Sequence, residues 1–276
     1  MSTMTRPVSG PSSLSRFGWT LRDAGIITGR DLAHWRLRPG GVLLGWTFPI
    51  LLVLMFGGLF GGAMAVPDGG DYYEYLMPGM FVMAMFFGIE GTMIAVTTDA
   101  SKGVTDRFRS LPMDSAAVLL GRCAADMLNS VVGLAFMFAA GLVLGWRWHE
   151  GLGPALVAVA LLLLLRFGLL WVGIALGLLA GRPEMVVSVQ ILVWPVGFLS
   201  NLFVDPTTMP SWLGTIADWN PLSSTVSAIR DLFGNPSYDS GTWITDNAMP
   251  MAVVWPVLLT AIFLPLATRT FRRLGS

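Results

Sequence analysis

Charge is scarce in this chain: 12% of its 276 residues are Asp, Glu, Lys or Arg, about half the usage of an ordinary soluble domain. A soluble protein of this length needs a charged shell, so water is not the main solvent. The single cysteine, Cys123, excludes an intrachain disulfide and a cysteine-built zinc cluster, and fits a small packing residue. The two histidines, His34 and His149, lie outside the long apolar runs. No HExxH, paired-cysteine or membrane Ser/His/Asp set appears, which argues against a membrane-embedded enzyme. No GxxxxGK[ST] loop occurs either, so the chain is not expected to bind ATP itself. Formal net charge is zero, and no global field recruits nucleic acid.

Apolar residues make up 54% of the sequence, and they fall into runs of roughly 20, the length that spans ~30 Å of hydrocarbon. The expected fold is an all-α membrane protein with six transmembrane helices at about 42–64, 76–98, 128–146, 154–180, 185–204 and 248–267. The third helix is expected to begin before its span, because residues 114–127 still read as helical. Residues 1–15 read as a disordered tail, and 16–276 as one transmembrane domain. Six arginines precede the first long apolar run, which does not fit a cleavable signal peptide.

Lys and Arg are retained on the cytoplasmic side of a membrane. Fourteen of the seventeen basic residues lie on one face of the expected topology, in the N-terminal segment, in 99–127, at Arg182 and at the C-terminus. Arg147 and Arg230 lie on the other, and Arg166 is inside the fourth span. A multi-pass protein of the cell membrane with both termini cytoplasmic follows. Between Phe17 and Trp35, apolar residues recur at helical spacing beside Arg22, Arg30 and Arg36, as in a helix lying on the membrane surface against anionic lipid or a partner. Gly25, Gly29 and Ile26 fit an irregular segment instead.

The segment 99–115 mixes charge with Val104, Phe108 and Leu111, which share a helical face. It reads equally as a docking helix and as a solvated hairpin. Further on, Asn220 is a good N-cap, Pro221 a good first helical residue, and Leu222, Val226, Ile229 and Phe233 form a stripe, predicting a helix over 221–233 that either caps the extracellular end of a pathway or is a plain structural lid. Two ionisable groups lie inside spans, Glu90 and Arg166, where charge is costly and usually paired. They read as a substrate or proton site, as a buried ion pair, or as separate snorkelling residues. Gly57, Gly58, Gly61 and Gly62 make two overlapping GxxxG spacings, whose ordinary use is close helix packing within one chain.

Thr105-Asp-Arg-Phe-Arg-Ser-Leu-Pro112, followed by Leu120-Gly-Arg122 and a long third helix, resembles the cytoplasmic loop of type-2 ATP-binding-cassette permeases, particularly the daunorubicin-resistance subgroup. Asn220-Pro221, Ala228, Arg230 and Gly234 are similar to the segment those permeases carry between spans five and six. Ser101-Lys102-Gly103 departs from the acidic residue that often precedes the loop's glycine in that family. The resemblance implies six spans, an N-terminal interfacial helix, a cytoplasmic coupling helix and short external helices between spans five and six. It also implies two permease copies, identical or homologous, on two copies of a separate ATPase subunit that binds ATP and Mg. Val104, Asp106, Arg107, Phe108, Arg109, Leu111 and Pro112 would then form the coupling site, with Asn220, Pro221 and Arg230 on the external helix.

The function this implies is export of a hydrophobic, drug- or antibiotic-like compound, with no cofactor held by this chain. A route between two copies, lined by the first, second and fifth spans, would use Phe48, Met55, Phe81, Met85, Trp194, Phe198 and Asn201. Methionine and aromatic side chains adapt to varied apolar ligands, and are equally ordinary against lipid. Export of a lipid or lipid-linked glycan is the alternative. A proton-coupled secondary transporter using Glu90 is less well supported, because no internal repeat is evident.

Overall fold

In hydrocarbon the backbone must satisfy its own hydrogen bonds, so long uncharged runs fold as helices. The computed structural model describes residues 39–62, 71–101, 115–237 and 241–273, with six further positions between 22 and 33. Among the described residues it is all-helical, with no strand. The chain runs through α1 (Pro39–Phe60), α2 (Tyr72–Ser101), α3 (Ser115–Val143), α4 (Leu152–Ala180) and α5 (Pro183–Phe198), then a short 3-10 turn (Pro206–Thr208). It ends with α6 (Ser211–Asp218), α7 (Pro221–Phe233), α8 (Trp243–Asp246) and α9 (Ala248–Arg273).

Five of these, α1, α2, α3, α4 and α9, are long and apolar enough to cross a membrane. The fifth expected span is shorter than its hydropathy suggests. The run was expected to reach 204, yet α5 has 16 residues, roughly 24 Å against a ~30 Å core. Pro195 stands in its last turn, and the chain leaves the helix at Leu199. The expected tail and most of the expected interfacial helix lie outside the described residues. Arg22, Gly25, Ile26, Thr28, Gly29 and Ala33 are helical, and Thr28 Oγ1 donates to the Gly121 carbonyl in α3 at 3.0 Å.

α2 and α4 form the centre of the bundle. Their axes come close because α4 presents Gly173 and Gly177 to α2. A Cβ on Gly173 would lie 3.0 Å from Thr92 Cβ, and one on Gly177 3.1 Å from Val96 Cβ. α9 crosses α4 in the same manner at Gly168, where a Cβ would lie 2.8 Å from the Pro256 carbonyl. α1, by contrast, fully buries only Pro49, Val53 and Gly57 among its described residues, four residues apart, with Ile50, Leu52 and Phe56 half-buried against the core. Gly57 packs against the Tyr73 ring, while Gly58 and Gly62 face open space.

Two apolar clusters fill the bundle. The larger joins Tyr75, Met77, Phe81, Leu162, Leu165 and Phe233 toward the α7 end, and the smaller joins Leu119, Cys123, Trp171 and Phe271 toward the other. At the α7 end Phe81 stacks on Phe138 at 4.4 Å, and Trp146 meets Phe233 edge-on at 5.1 Å. The Trp146 indole donates to Asn235 Oδ1 at 2.8 Å, closing that cluster with a satisfied polar group.

Candidate functional site

Arg166 is 1% exposed, halfway along α4, in a helix otherwise almost free of polar side chains. Its Nη2 lies 2.6 Å from Asp126 Oδ2, 2.9 Å from Thr92 Oγ1 and 3.1 Å from the Gly88 carbonyl. Nε donates to Ser130 Oγ at 2.8 Å. The Thr92 hydroxyl donates to Asp126 at 2.6 Å, so it can accept from the guanidinium in turn. Gly88 and Thr92 are one turn apart on α2, and Asp126 and Ser130 one turn apart on α3, so each helix offers one polar patch to the arginine. A side chain on Gly88 would collide with the guanidinium, its Cβ falling 2.6 Å from Cζ. The arrangement is an ion pair binding three helices, with Arg166 Nη1 buried and without a hydrogen-bond partner among the described residues.

That cluster removes one of the three readings of the intramembrane charges, the pairing of Glu90 with Arg166. Glu90 follows Gly88 by two residues, a rotation of about 200° at 3.6 residues per turn. It therefore projects from the opposite side of α2, into a shallow, open cleft against α5 lined by Phe86, Phe87, Met93, Gln190 and Trp194. Glu90 has no hydrogen bond or ion pair among the described residues. Asp126 escaped the sequence reading because the third span was expected to begin at 128. The spacing of Asp126 and Ser130 in an apolar helix was the available signal.

The expected substrate-route residues divide into two groups. Phe48, Met55, Trp194 and Phe198 lie on the open side of α1 and α5, between 36% and 46% exposed. Phe81, Met85 and Asn201 are buried within the single chain instead. Phe81 is held by the ring cluster, and Asn201 Nδ2 donates to Ser227 Oγ at 2.8 Å. The open side carries a row of rings: Phe48 to Phe87 at 5.4 Å, Phe87 to Trp194 at 5.8 Å, Trp194 to Phe198 at 6.4 Å and Phe198 to Phe203 at 5.6 Å.

The helix expected at 221–233 is present as α7, started by Asn220 Oδ1 accepting from Leu222 N at 2.9 Å and ended by Gly234 in the left-handed region. It is more than a lid on the surface. Leu222, Val226, Ile229 and Phe233 are buried, and so are Ser223, Ser224, Thr225 and Ser227 on its other sides. Asn220 Nδ2 donates to the Val196 and Leu199 carbonyls, each at 2.6 Å, satisfying backbone oxygens that the end of α5 leaves open. Arg230, counted above among the basic residues of an outer face, is 1% exposed. It donates to the carbonyls of Asn201, Leu202 and Tyr75, each at 3.2 Å, and lies 3.9 Å from the Tyr75 ring centre. It welds α7 to α2 and to the turn after α5.

Val104, Asp106, Arg107, Phe108, Arg109, Leu111 and Pro112 lie outside the described residues. The helices flanking them are joined by an ion pair between Asp99 at the end of α2 and Arg122 near the start of α3. At the opposite end of α2, Glu74 lies 2.9 Å from His149 Nε2. No group of three His, Cys, Asp or Glu side chains suited to a metal ion occurs among the described residues.

Comparison with known proteins supplies the family. The ABC-2 type transporter family matches residues 24–233. The daunorubicin resistance ABC transporter permease DrrB1 of Streptomyces coeruleorubidus is 37% identical over 81% of this chain and 77% of its own length. The doxorubicin resistance permease DrrB of Mycobacterium tuberculosis strain H37Rv is 27% identical over 67% of this chain and 61% of its own. The ycf38 transport permease of Porphyra purpurea is 27% identical over 75% and 72%. With that family covering most of its length, from before α1 to the end of α7, the chain belongs to the ABC-2 type transporters as a multi-pass membrane permease.

Proposed function

We propose that this permease forms the membrane path of an exporter that moves a hydrophobic or amphiphilic compound out of the cell, using ATP hydrolysed with Mg in a separate ATPase subunit. The observation that carries the substrate class is the row of half-exposed rings from Phe48 to Phe198 on α1, α2 and α5. Planar apolar groups can slide along such rings with little reorganisation. Two permease copies facing one another through this side would enclose the row, on two ATPases. The relatives named above are tied to daunorubicin and doxorubicin resistance, so compounds of that drug class are the first to assay.

The division of basic residues supports cytoplasmic termini and an outward-facing α7. On that topology α5, though short, serves as a sixth crossing, completed on the outer side by the turn that Asn220 and Arg230 support. Residues 99–115 then lie inside the cell, where Val104, Phe108 and Leu111 anchor a helix in a groove of the ATPase while Asp106, Arg107 and Arg109 orient it and Pro112 stops it. α2 and α3 enter this segment directly, so motion of the ATPase reaches the path as a tilt of both.

The test is reconstitution of the permease with its ATPase in vesicles, following complex recovery, ATP hydrolysis and drug movement together. Phe108→Ala is expected to reduce assembly. Arg107→Glu is expected to leave expression intact and uncouple hydrolysis from transport. If both variants assembled and transported like the parent, residues 99–115 would be a plain connector and the proposal would lose its mechanical link.

A further inference from the structure

Glu90 is a charge at mid-helix with no ion pair or hydrogen bond among the described residues. Of the other charged groups within the spans, Arg166 is taken by Asp126 and Arg122 by Asp99. α1 and α5, the helices nearest the open side of Glu90, contain no Lys or Arg. A second copy presenting the same side would add a second Glu90 and no cation. A carboxylate in a low-dielectric site is stable only beside positive charge or as its neutral acid.

The walls around it point to the kind of cation. Phe87 and Trp194 line the cleft with Glu90 and lie 5.8 Å apart. Aromatic faces attract organic cations through their quadrupole, and do so more strongly where water is excluded. Gln190 lies one turn before Trp194 on α5 and lines the same cleft, with no hydrogen bond among the described residues. Its amide can orient a polar head group. Beyond the cleft, Phe198 and Phe48 extend the apolar surface in both directions, 44% and 38% exposed. A small hydrated ion would gain nothing from these rings, and an anion would be repelled by the carboxylate.

We infer that Glu90, flanked by Gln190 and walled by Phe87 and Trp194, binds the positive head of a lipophilic organic cation whose aromatic or apolar body lies along the Phe48 to Phe198 row. As a transport site this rests on the exporter reading above; as a binding site it stands on the cleft alone. Glu90 is then the residue that sets preference for cations over neutral compounds of the same shape.

The experiment uses the full permease assembled with its ATPase in phosphatidylglycerol nanodiscs, and two probes of similar bulk: tetraphenylphosphonium and uncharged triphenylphosphine oxide. Equilibrium binding of each radiolabelled probe is measured for the parent and for Glu90→Gln, Glu90→Asp and Gln190→Lys. Glu90→Gln is expected to weaken tetraphenylphosphonium binding by about tenfold, one decade of affinity, and to leave the oxide unchanged. Glu90→Asp should restore most of the cation preference. Gln190→Lys, which sets a positive charge beside the carboxylate, should abolish it, and decides the matter if Glu90→Gln does not fold. Unchanged cation affinity in Glu90→Gln, or in Gln190→Lys, overturns the inference, as does a parent that binds neither probe. Displacement of tetraphenylphosphonium by added phosphatidylethanolamine as complete as that by unlabelled cation would assign the cleft to an aminolipid head instead, and also overturns it. ATP-driven uptake in inside-out vesicles separates the two readings. Transport that continues while Glu90→Gln keeps its cation affinity sinks the site and leaves the exporter standing. Loss of binding in Glu90→Gln without transport by the parent does the reverse.

Discussion

The Asp126 carboxylate lies 2.6 Å from Arg166 Nη2, between two helices that are not joined by the charged pair the sequence most readily offers. Removing one partner of such a pair leaves an uncompensated charge, which typically destabilises by about 3–5 kcal/mol. Asp126→Asn is therefore expected to lower the unfolding midpoint of the purified protein strongly, and Asp126→Leu with Arg166→Leu to recover part of the loss. Glu90→Gln, which removes a charge that has no partner among the described residues, is expected to be neutral or stabilising. Equal destabilisation by Glu90→Gln and Asp126→Asn would show that the pairing is misassigned.

Gly88 and Gly91 give a second, internally controlled test. A Cβ at Gly88 meets the Arg166 guanidinium, whereas a Cβ at Gly91 meets nothing within 4 Å. Gly88→Ala should cost about 1–3 kcal/mol by overpacking, while Gly91→Ala should gain up to about 1 kcal/mol through the better helix propensity of alanine. Melting curves followed by size-exclusion fluorescence would rank the two. The opposite order would rule out close packing at Gly88.

How much of this could be read in advance differs by element. α7 was legible because its signals are local: Asn220, Pro221, a stripe every three or four residues and a final Gly234 all lie within one stretch of sequence. The end of α5 was not. Hydropathy continues to Val204, but the helix stops at Phe198, where Asn220 and Arg230 supply donors from later in the chain. Asp126 was hidden because the span limit was drawn two residues too late. Glu90 was visible as an intramembrane charge, yet its direction depends on which side of α2 meets α4, and Gly173 and Gly177 decide that.

Asn220 performs two tasks that substitution can separate. Asn220→Asp keeps the oxygen that caps α7 but loses the Nδ2 bonds to Val196 and Leu199. It should cost about 1–3 kcal/mol, the range for buried carbonyls left unpaired, and speed amide exchange in residues 199–204. Asn220→Ala should lose about 1 kcal/mol more, the value of an N-cap. Identical exchange in the two variants and the parent would mean that the α5 end is held by other contacts.

Topology can be tested by labelling. Cys123 is 5% exposed and should stay silent toward maleimides in the folded protein. With a cysteine at Ser237, an impermeant reagent should label intact cells, and with one at Ser110 it should not. Labelling at 110 alone would invert the protein in the membrane.

The narrow seat of α1 has a mechanical consequence. α1 is fully buried only at Pro49, Val53 and Gly57, and the rest of its hold is a few ring and aliphatic contacts plus a single side-chain hydrogen bond among the described residues, from the Trp46 indole to Asn129 Oδ1 in α3. α2, α3 and α4 are held more tightly, because any roll of α2 drags Gly88 and Thr92 off the guanidinium that also grips α3. The stiffest part of the bundle is therefore the α2, α3 and α4 block around Arg166, and α1, with one side-chain hydrogen bond to it, is the wall expected to yield first.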